Sequence, residues 1–178
     1  MAKPTSRCLV IDTDVARAAG GEECEHPTGR RCRDFLIAVL TICHRVVLTP
    51  EIKDEWSRHQ SGFARKWRVR MMARRKVANV EPTPNQSLRD RLQHVAATDR
   101  EREAIAKDFP LVEAALAADG IVASKETVIR QLFNTVARKV GELRQIVWVN
   151  PDQPDEDPIG WLEGGAQPED RRKLGRQP

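Results

Sequence analysis

Four short apolar runs fix what this chain can become: Leu9-Val10-Ile11 after Cys8, Val46-Val47-Leu48, Ile121-Val122-Ala123 and Ile146-Val147-Trp148-Val149. Each is rich in β-branched residues and apolar at every position rather than at alternate ones. Unbroken apolarity means burial on both faces, the condition of parallel strands held between helix layers. Between the runs, apolar residues recur at helical spacing: Phe35, Leu36, Val39, Leu40 and Cys43, then Leu88, Leu92 and Val95, then Leu111, Val112, Ala115 and Leu116, then Leu132, Phe133, Val136 and Val140. The alternation predicts an α/β chain, a three-layer α/β/α fold around a central, mainly parallel sheet of four to five short strands. Aromatic residues are 4% of the chain and Tyr is absent, so the core must be aliphatic, which suits a helix-covered sheet better than a sandwich.

Local signals place the element ends. Thr49-Pro50 reads as a helix start, with a hydroxyl to cap and a proline preset for the first turn. Thr98 to Glu101 is a capping box, and Gly120 reads as a helix C-cap before a strand. Asp108, two residues before Pro110, reads as the N-cap of a further helix. Residues 18–31 and 81–85, with glycine, proline and charge but no periodicity, read as loops, and the first helix is expected over residues 34–42. Residues 1–150 are expected to form one domain. Residues 151–178, acidic up to Asp170, then basic, and broken by prolines, read as a flexible tail.

No stretch reaches the roughly 18 to 20 apolar residues that cross a bilayer, and the first residues lack the apolar segment of a secretory signal, so the expectation is a cytoplasmic protein without a membrane partner. Four cysteines in 178 residues are too sparse for a disulfide scaffold. Cys24, His26 and Cys32 fit no common zinc spacing, and packed or exposed thiols are expected instead. The formal charge is +4, unevenly spread. Between Glu55 and Glu81 no acidic residue occurs, whereas Arg58, Arg65, Lys66, Arg68, Arg70, Arg74, Arg75 and Lys76 do. A segment of one sign repels itself unless a polyanion neutralises it, so contact with nucleic acid is expected there, with Phe63 and Trp67 as docking or stacking surfaces.

The apolar runs share a further property: three of them lead into carboxylates. Asp12 and Asp14 follow the first run, Glu51 and Glu55 the second, Glu126 the third. Parallel neighbouring strands would bring these acids to one rim of the sheet, where ligands bind in open α/β sheets, and Asp108 can join them. Clustered carboxylates cannot all ionise without compensation, so some must be protonated or a hard divalent cation must sit among them. Oxygen ligands select Mg²⁺ or Mn²⁺ over zinc. For Glu51 and Glu55 the alternatives are the helix dipole and a nearby arginine.

The order of these pieces resembles the PIN domain. Val10-Ile11-Asp12-Thr13-Asp14-Val15, Thr49 to Glu55, Lys107-Asp108 to Ala115 and Ile121 to Glu126 match its motifs in order and spacing, and residues 146–151 are like its closing strand. The resemblance covers roughly residues 7–150. It implies an endoribonuclease that hydrolyses single-stranded RNA with Mg²⁺ or Mn²⁺. Asp12, Glu55, Asp108 and Glu126 would form the catalytic cluster, with Asp12, Asp108 and Glu126 on metal and Thr13, Asp14 and Ser124 in support. Arg65, Lys66, Arg68, Arg70, Arg74, Arg75 and Lys76 would meet the RNA. Small stand-alone members are often toxins restrained by an antitoxin, and the family often forms homodimers. The chain departs from the pattern at Glu126, where the family usually has Asp, and at Asp14, where Asn is common.

Two other readings belong to different classes. A PIN-like fold without cleavage would be an RNA- or protein-binding module. Leu9 to Val15 also matches the first motif of haloacid-dehalogenase-like phosphatases, with Ser124 fitting their second, although the chain after Ser124 lacks the strand ending in an acidic pair which that family needs.

Overall fold

The computed structural model describes residues 5–176 apart from positions 22 and 24. Five strands, β1 (Cys8–Ile11), β2 (Arg45–Leu48), β3 (Val77–Asn79), β4 (Ile121–Ala123) and β5 (Val147–Val149), form one parallel sheet in the order β3-β2-β1-β4-β5. Leu9 pairs with Val46 on one side and Ile121 on the other, so β1 is the central strand. Its Leu9, Val10 and Ile11 are fully buried, as the unbroken apolar pattern requires.

Right-handed crossovers decide the layers. α1 (Thr13–Ala18), α2 (Pro27–Thr41), α3 (Pro50–His59) and α4 (Gly62–Ala73) connect β1 to β2 and β2 to β3, and pack on one another over one face. α5 (Gln86–Val95), α6 (Asp99–Leu116) and α7 (Thr127–Ala137) serve β3 to β4 and β4 to β5 and pack together over the other. The expected caps are in place: the Thr49 hydroxyl accepts from the Ile52 amide at 3.2 Å, and Thr98 and Glu101 complete a capping box. Among the described residues no helix is long and apolar enough to cross a membrane.

Four expectations need correction. The first long helix starts at Pro27 rather than residue 34, because Cys32 and Gly29 extend the buried stripe of α2 back into the polar stretch read as loop. β3 directly follows Lys76, the last cation of the basic segment, and only Val77 and Ala78 of its three residues are apolar, too short a run to register as a strand. Asp108 is no helix start: it lies inside α6, which continues through Pro110. The proline removes the bond to the Ala106 carbonyl, but Phe109, Leu111 and Val112 are buried on both sides of it, and their packing holds the helix together.

The fourth correction concerns residues 151–176, which are folded against the domain rather than a loose tail. They form α8 (Pro158–Glu163), flanked by single 3-10 turns, and bury Trp161, Leu162, Ala166 and Leu174. Arg172 is 1% exposed and pairs with Glu156 and with Glu169 at 2.9 Å, while Arg130 of α7 pairs with the same Glu156. Asp152 accepts from Thr28 at 3.0 Å and from Arg31 at 3.0 Å, tying the segment to the start of α2. Lys173 bridges Val147 in antiparallel fashion and the Leu174 amide donates to Ile146, so the outer edge of β5 is covered. Prolines and charge suggest disorder, but the apolar residues here are few and mostly large, with α8 packed on α2 and the last 3-10 turn on β5.

α4 ends in a Schellman turn. The Lys76 amide donates to Met71 and the Arg75 amide to Met72, and Arg75 sits at φ 56°, in the left-handed region. Glycine is the usual occupant of that position, and a side chain there costs about 1 kcal/mol.

Candidate active site

The rim formed by the carboxyl ends of the strands collects the predicted acids. Asp12 follows β1 directly and caps α1, its Oδ1 accepting from the Asp14 amide at 3.5 Å. Its backbone amide donates to the Ala123 carbonyl at 2.9 Å, which locks the end of β1 to the end of β4. Ser124, the residue after β4, then lies beside it. The Ser124 hydroxyl is 2.8 Å from Asp12 Oδ2 and 3.3 Å from Asp14 Oδ2, and it has one proton to give; the shorter contact marks Asp12 as the acceptor. The same oxygen accepts from the Glu126 amide at 3.2 Å, a Ser turn that orients the start of α7. Glu126 occupies the N-cap position of α7, yet its carboxylate makes no capping bond.

Glu55 reaches the rim from α3. The Trp56 indole N–H donates to the Ile11 carbonyl at 3.0 Å, which pins α3 to the last residue of β1 and leaves the neighbouring Glu55 exposed at the rim. The alternative of an arginine partner for Glu55 does not hold: Arg58 pairs with Asp54 at 2.5 Å. Asp108 lies half-buried on α6, the helix that crosses behind β1 and β4.

Electrostatics bind these acids into one group. Burial pushes Asp12 above the ordinary carboxylate range, and the charge of Glu55 adds to the effect. Asp14 is pushed up to about 7, first by burial and then by the charge of Asp12. Asp108 is pushed up to about 6 by burial, with Asp12, Glu55 and Glu126 all contributing repulsion. One carboxyl thus feels the other three members of the predicted set. None of Asp12, Asp14, Glu55, Asp108 or Glu126 has a salt-bridge partner among the described residues. Asp14 Oδ1 is buried without any hydrogen-bond partner. Thr13 is buried as the first residue of α1.

The donor set suits a hard divalent cation: all oxygen, excess negative charge, one orphaned carboxylate oxygen. The distances do not yet form a cage. Among the described residues no three acidic, histidine or cysteine side chains stand close enough together to hold an ion. Asp12 and Asp14 are fixed by hydrogen bonds, whereas the exposed Glu55 and Glu126 are not, so closing the set depends on those two side chains. The zinc alternative has Cys24 outside the described residues; Cys32 is buried, with its thiol pushed up to about 12 by burial, which disfavours the thiolate a metal needs.

The basic segment divides. Lys76 Nζ donates to the carbonyls of Val39 (3.0 Å), Leu40 (2.7 Å) and Ile42, and Arg74 to Leu40 at 3.4 Å; both cap the end of α2 instead of facing a ligand. Trp67 is buried against Trp56, with ring centroids 5.8 Å apart, and offers no stacking surface. Phe63 is half-buried, and Arg65, Lys66, Arg70 and Arg75 lie exposed, with Arg68 half-buried.

Two contributors were missed at the sequence level. Trp56 carries no signal in the sequence beyond sharing a helix face with Ile52, four residues before it. Asn150 follows β5 as Asp12 follows β1, is 2% exposed, and donates to the Lys125 carbonyl at 3.2 Å, bracing the loop that carries Ser124 and Glu126. The signal was available: a polar residue directly after an apolar strand. No protein-family model and no curated protein matches the chain.

Proposed function

We propose that this protein is a metal-dependent endoribonuclease of the PIN type, hydrolysing phosphodiesters of single-stranded RNA with Mg²⁺ or Mn²⁺. The observation that carries the reading is the repulsion that Asp12, Glu55 and Glu126 exert on Asp108, only partly offset by Lys107, with no salt bridge to any of the four acids among the described residues. Asp12 and Asp108 would hold the cation, with Glu126 and the orphaned oxygen of Asp14 beside them. A divalent ion there supplies Lewis acidity to a water and a phosphate and masks the acids' charge from the substrate. Ser124 keeps Asp12 ionised and aimed by donating to it. Glu55 accepts a proton from the attacking water, and the exposed arginines of α4 attract the strand by counterion release. A cytoplasmic location and restraint by an antitoxin accord with this reading.

A second reading, an RNA-binding module without cleavage, is favoured by the spacing of the acids, which falls short of an ion cage. One assay separates the two. Labelled single-stranded RNA is incubated with the wild type and with Asp12→Asn in Mg²⁺, Mn²⁺ or EDTA. Cuts that vanish in EDTA and in the variant support the nuclease. Intact RNA retained by both proteins supports the binder. Turnover of a phosphomonoester would instead indicate a phosphatase.

A further inference from the structure

At the outer edge of the sheet, beside β3, lies a cavity of about 320 Å³ with three cations on its walls, Lys53, Arg68 and Arg75, and no carboxylate among its lining residues. Its floor is apolar, made by Leu48, Met72 and Val77. Arg68 is held in place from α3: its Nη1 donates to the Ser57 hydroxyl at 3.2 Å and lies 3.5 Å from the Lys53 carbonyl. Met72 is 51% exposed, an apolar side chain left in water. Arg75 holds its guanidinium here from a left-handed backbone position that glycine would occupy without strain. Strain kept at one residue points to a use for its side chain.

We propose that this cavity binds one nucleotide of single-stranded RNA. Lys53, Arg68 and Arg75 take the phosphate, the floor takes the face of an unpaired base, and the Asn79 amide, also on the wall, reads the base edge. The volume lies at the lower end for small-ligand pockets, which suits one nucleoside phosphate. A base inside a duplex cannot enter. A second cavity, of about 730 Å³, shares Leu48, Lys53 and Asn79 with the first and extends to Thr49 and Pro50, where the helix carrying Glu55 begins. Asp54 and Glu81 also line this second cavity, so its charge is mixed where that of the first is wholly positive. The assignment rests on the ribonuclease reading for its substrate, but it is tested by binding alone.

The test uses the full chain carrying Asp12→Asn, with a short labelled single-stranded oligoribonucleotide, and measures affinity by anisotropy across a salt series. Arg75→Gly is expected to raise the Tm by about 2 to 4 °C by removing the backbone strain. The same variant is expected to weaken binding and to flatten the slope of log K against log salt by about 0.7, the share of one phosphate contact on a single strand. Adding Lys53→Gln should flatten it by about 1.4 in all. Met72→Asp should weaken oligonucleotide binding and leave binding of inorganic polyphosphate less affected. Competition by adenosine monophosphate would place a free nucleotide in the pocket; binding of the strand without such competition would place only a nucleotide within RNA there. An unchanged slope and affinity in both charge variants overturns the proposal, as does equal loss for duplex RNA, which would reduce the pocket to a general polyanion patch. The two readings fail separately. Pocket variants without effect, beside cleavage that Asp12→Asn abolishes, remove the pocket and leave the nuclease. Altered slopes in a wild type that never cleaves remove the nuclease and leave the pocket.

Discussion

The Ser124 hydroxyl lies 2.8 Å from Asp12 Oδ2 across 112 residues of chain, joining the ends of the two central strands through the side chains that follow them. This bond lowers the affinity of Asp12 for protons against the larger opposing effect of burial. Ser124→Ala should therefore lose about 1.5 to 3 kcal/mol of stability, the range for a hydrogen bond to a charged group. It should also shift the acid limb of the proposed metal-dependent RNA cleavage to higher pH. A pH–rate profile that keeps its limb in place while urea unfolding shows the loss would make Ser124 purely structural.

Charge at the rim should oppose folding when no cation is bound. Asp14 binds its proton more tightly in the folded state, at about 7 against 3.8, so its contribution to stability is present below pH 4 and is lost as pH rises to 7. In EDTA at pH 8, Asp14→Asn should melt several degrees above the wild type, and at pH 4 the difference should close. Calorimetry at the two pH values checks the sign.

His44 runs the other way. It is fully buried, its Nδ1 accepts from the Arg7 amide at 3.2 Å, and its Nε2–H donates to the Leu162 carbonyl at 2.8 Å, an arrangement that only the neutral ring satisfies. Burial pushes its pKa below 6.5, with the charges of Lys76 and Arg7 adding to the effect. Its stabilisation is complete above pH 6.5 and is lost as pH falls through the lower folded value. The wild type should lose Tm on acidification below pH 6.5, and His44→Gln, which keeps a donor and an acceptor, should show a flatter profile there.

Glu156 holds one buried arginine, Arg172, and one half-buried, Arg130. Glu156→Ala leaves both without their shared carboxylate, although Arg172 keeps Glu169, and a hydrogen bond to a charged group contributes about 1.5 to 3 kcal/mol. Denaturant unfolding should show a loss of that order. A loss under 1 kcal/mol would mean that residues 151–176 contribute little to the fold.

The strands were legible where their burial was total and their ends were marked by a polar residue, as at Ile11-Asp12 and Ala123-Ser124. β3 escaped because an edge strand needs less apolar surface, and its three residues follow directly on the basic segment. Asp12, Asp14 and Glu126 were legible because they follow β1 and β4, whose shared direction brings them to one rim. Asp108 reached the rim by a different route from the one expected: Pro110 carries the marks of a first turn, and only the packing of Phe109 and Val112 shows that the helix began nine residues before Asp108, at Asp99. Lys76 and Arg74 could not be separated from the other cations by sequence, since capping the end of α2 depends on where β2 and α4 place it. The buried role of Arg172 was equally invisible, because its partner Glu156 lies in a stretch whose composition resembles disorder.

Lys173 and Leu174 lie against the outer edge of β5, and this sets an order on synthesis. The side of the sheet made by β3 is complete once the first half of the chain has been translated and β2 is available. The opposite side keeps bare amides until residue 174 has left the ribosome, whatever follows it. Unpaired strand edges recruit other strands, so the nascent protein is most open to mispairing late in translation, when nearly all of its core already exists.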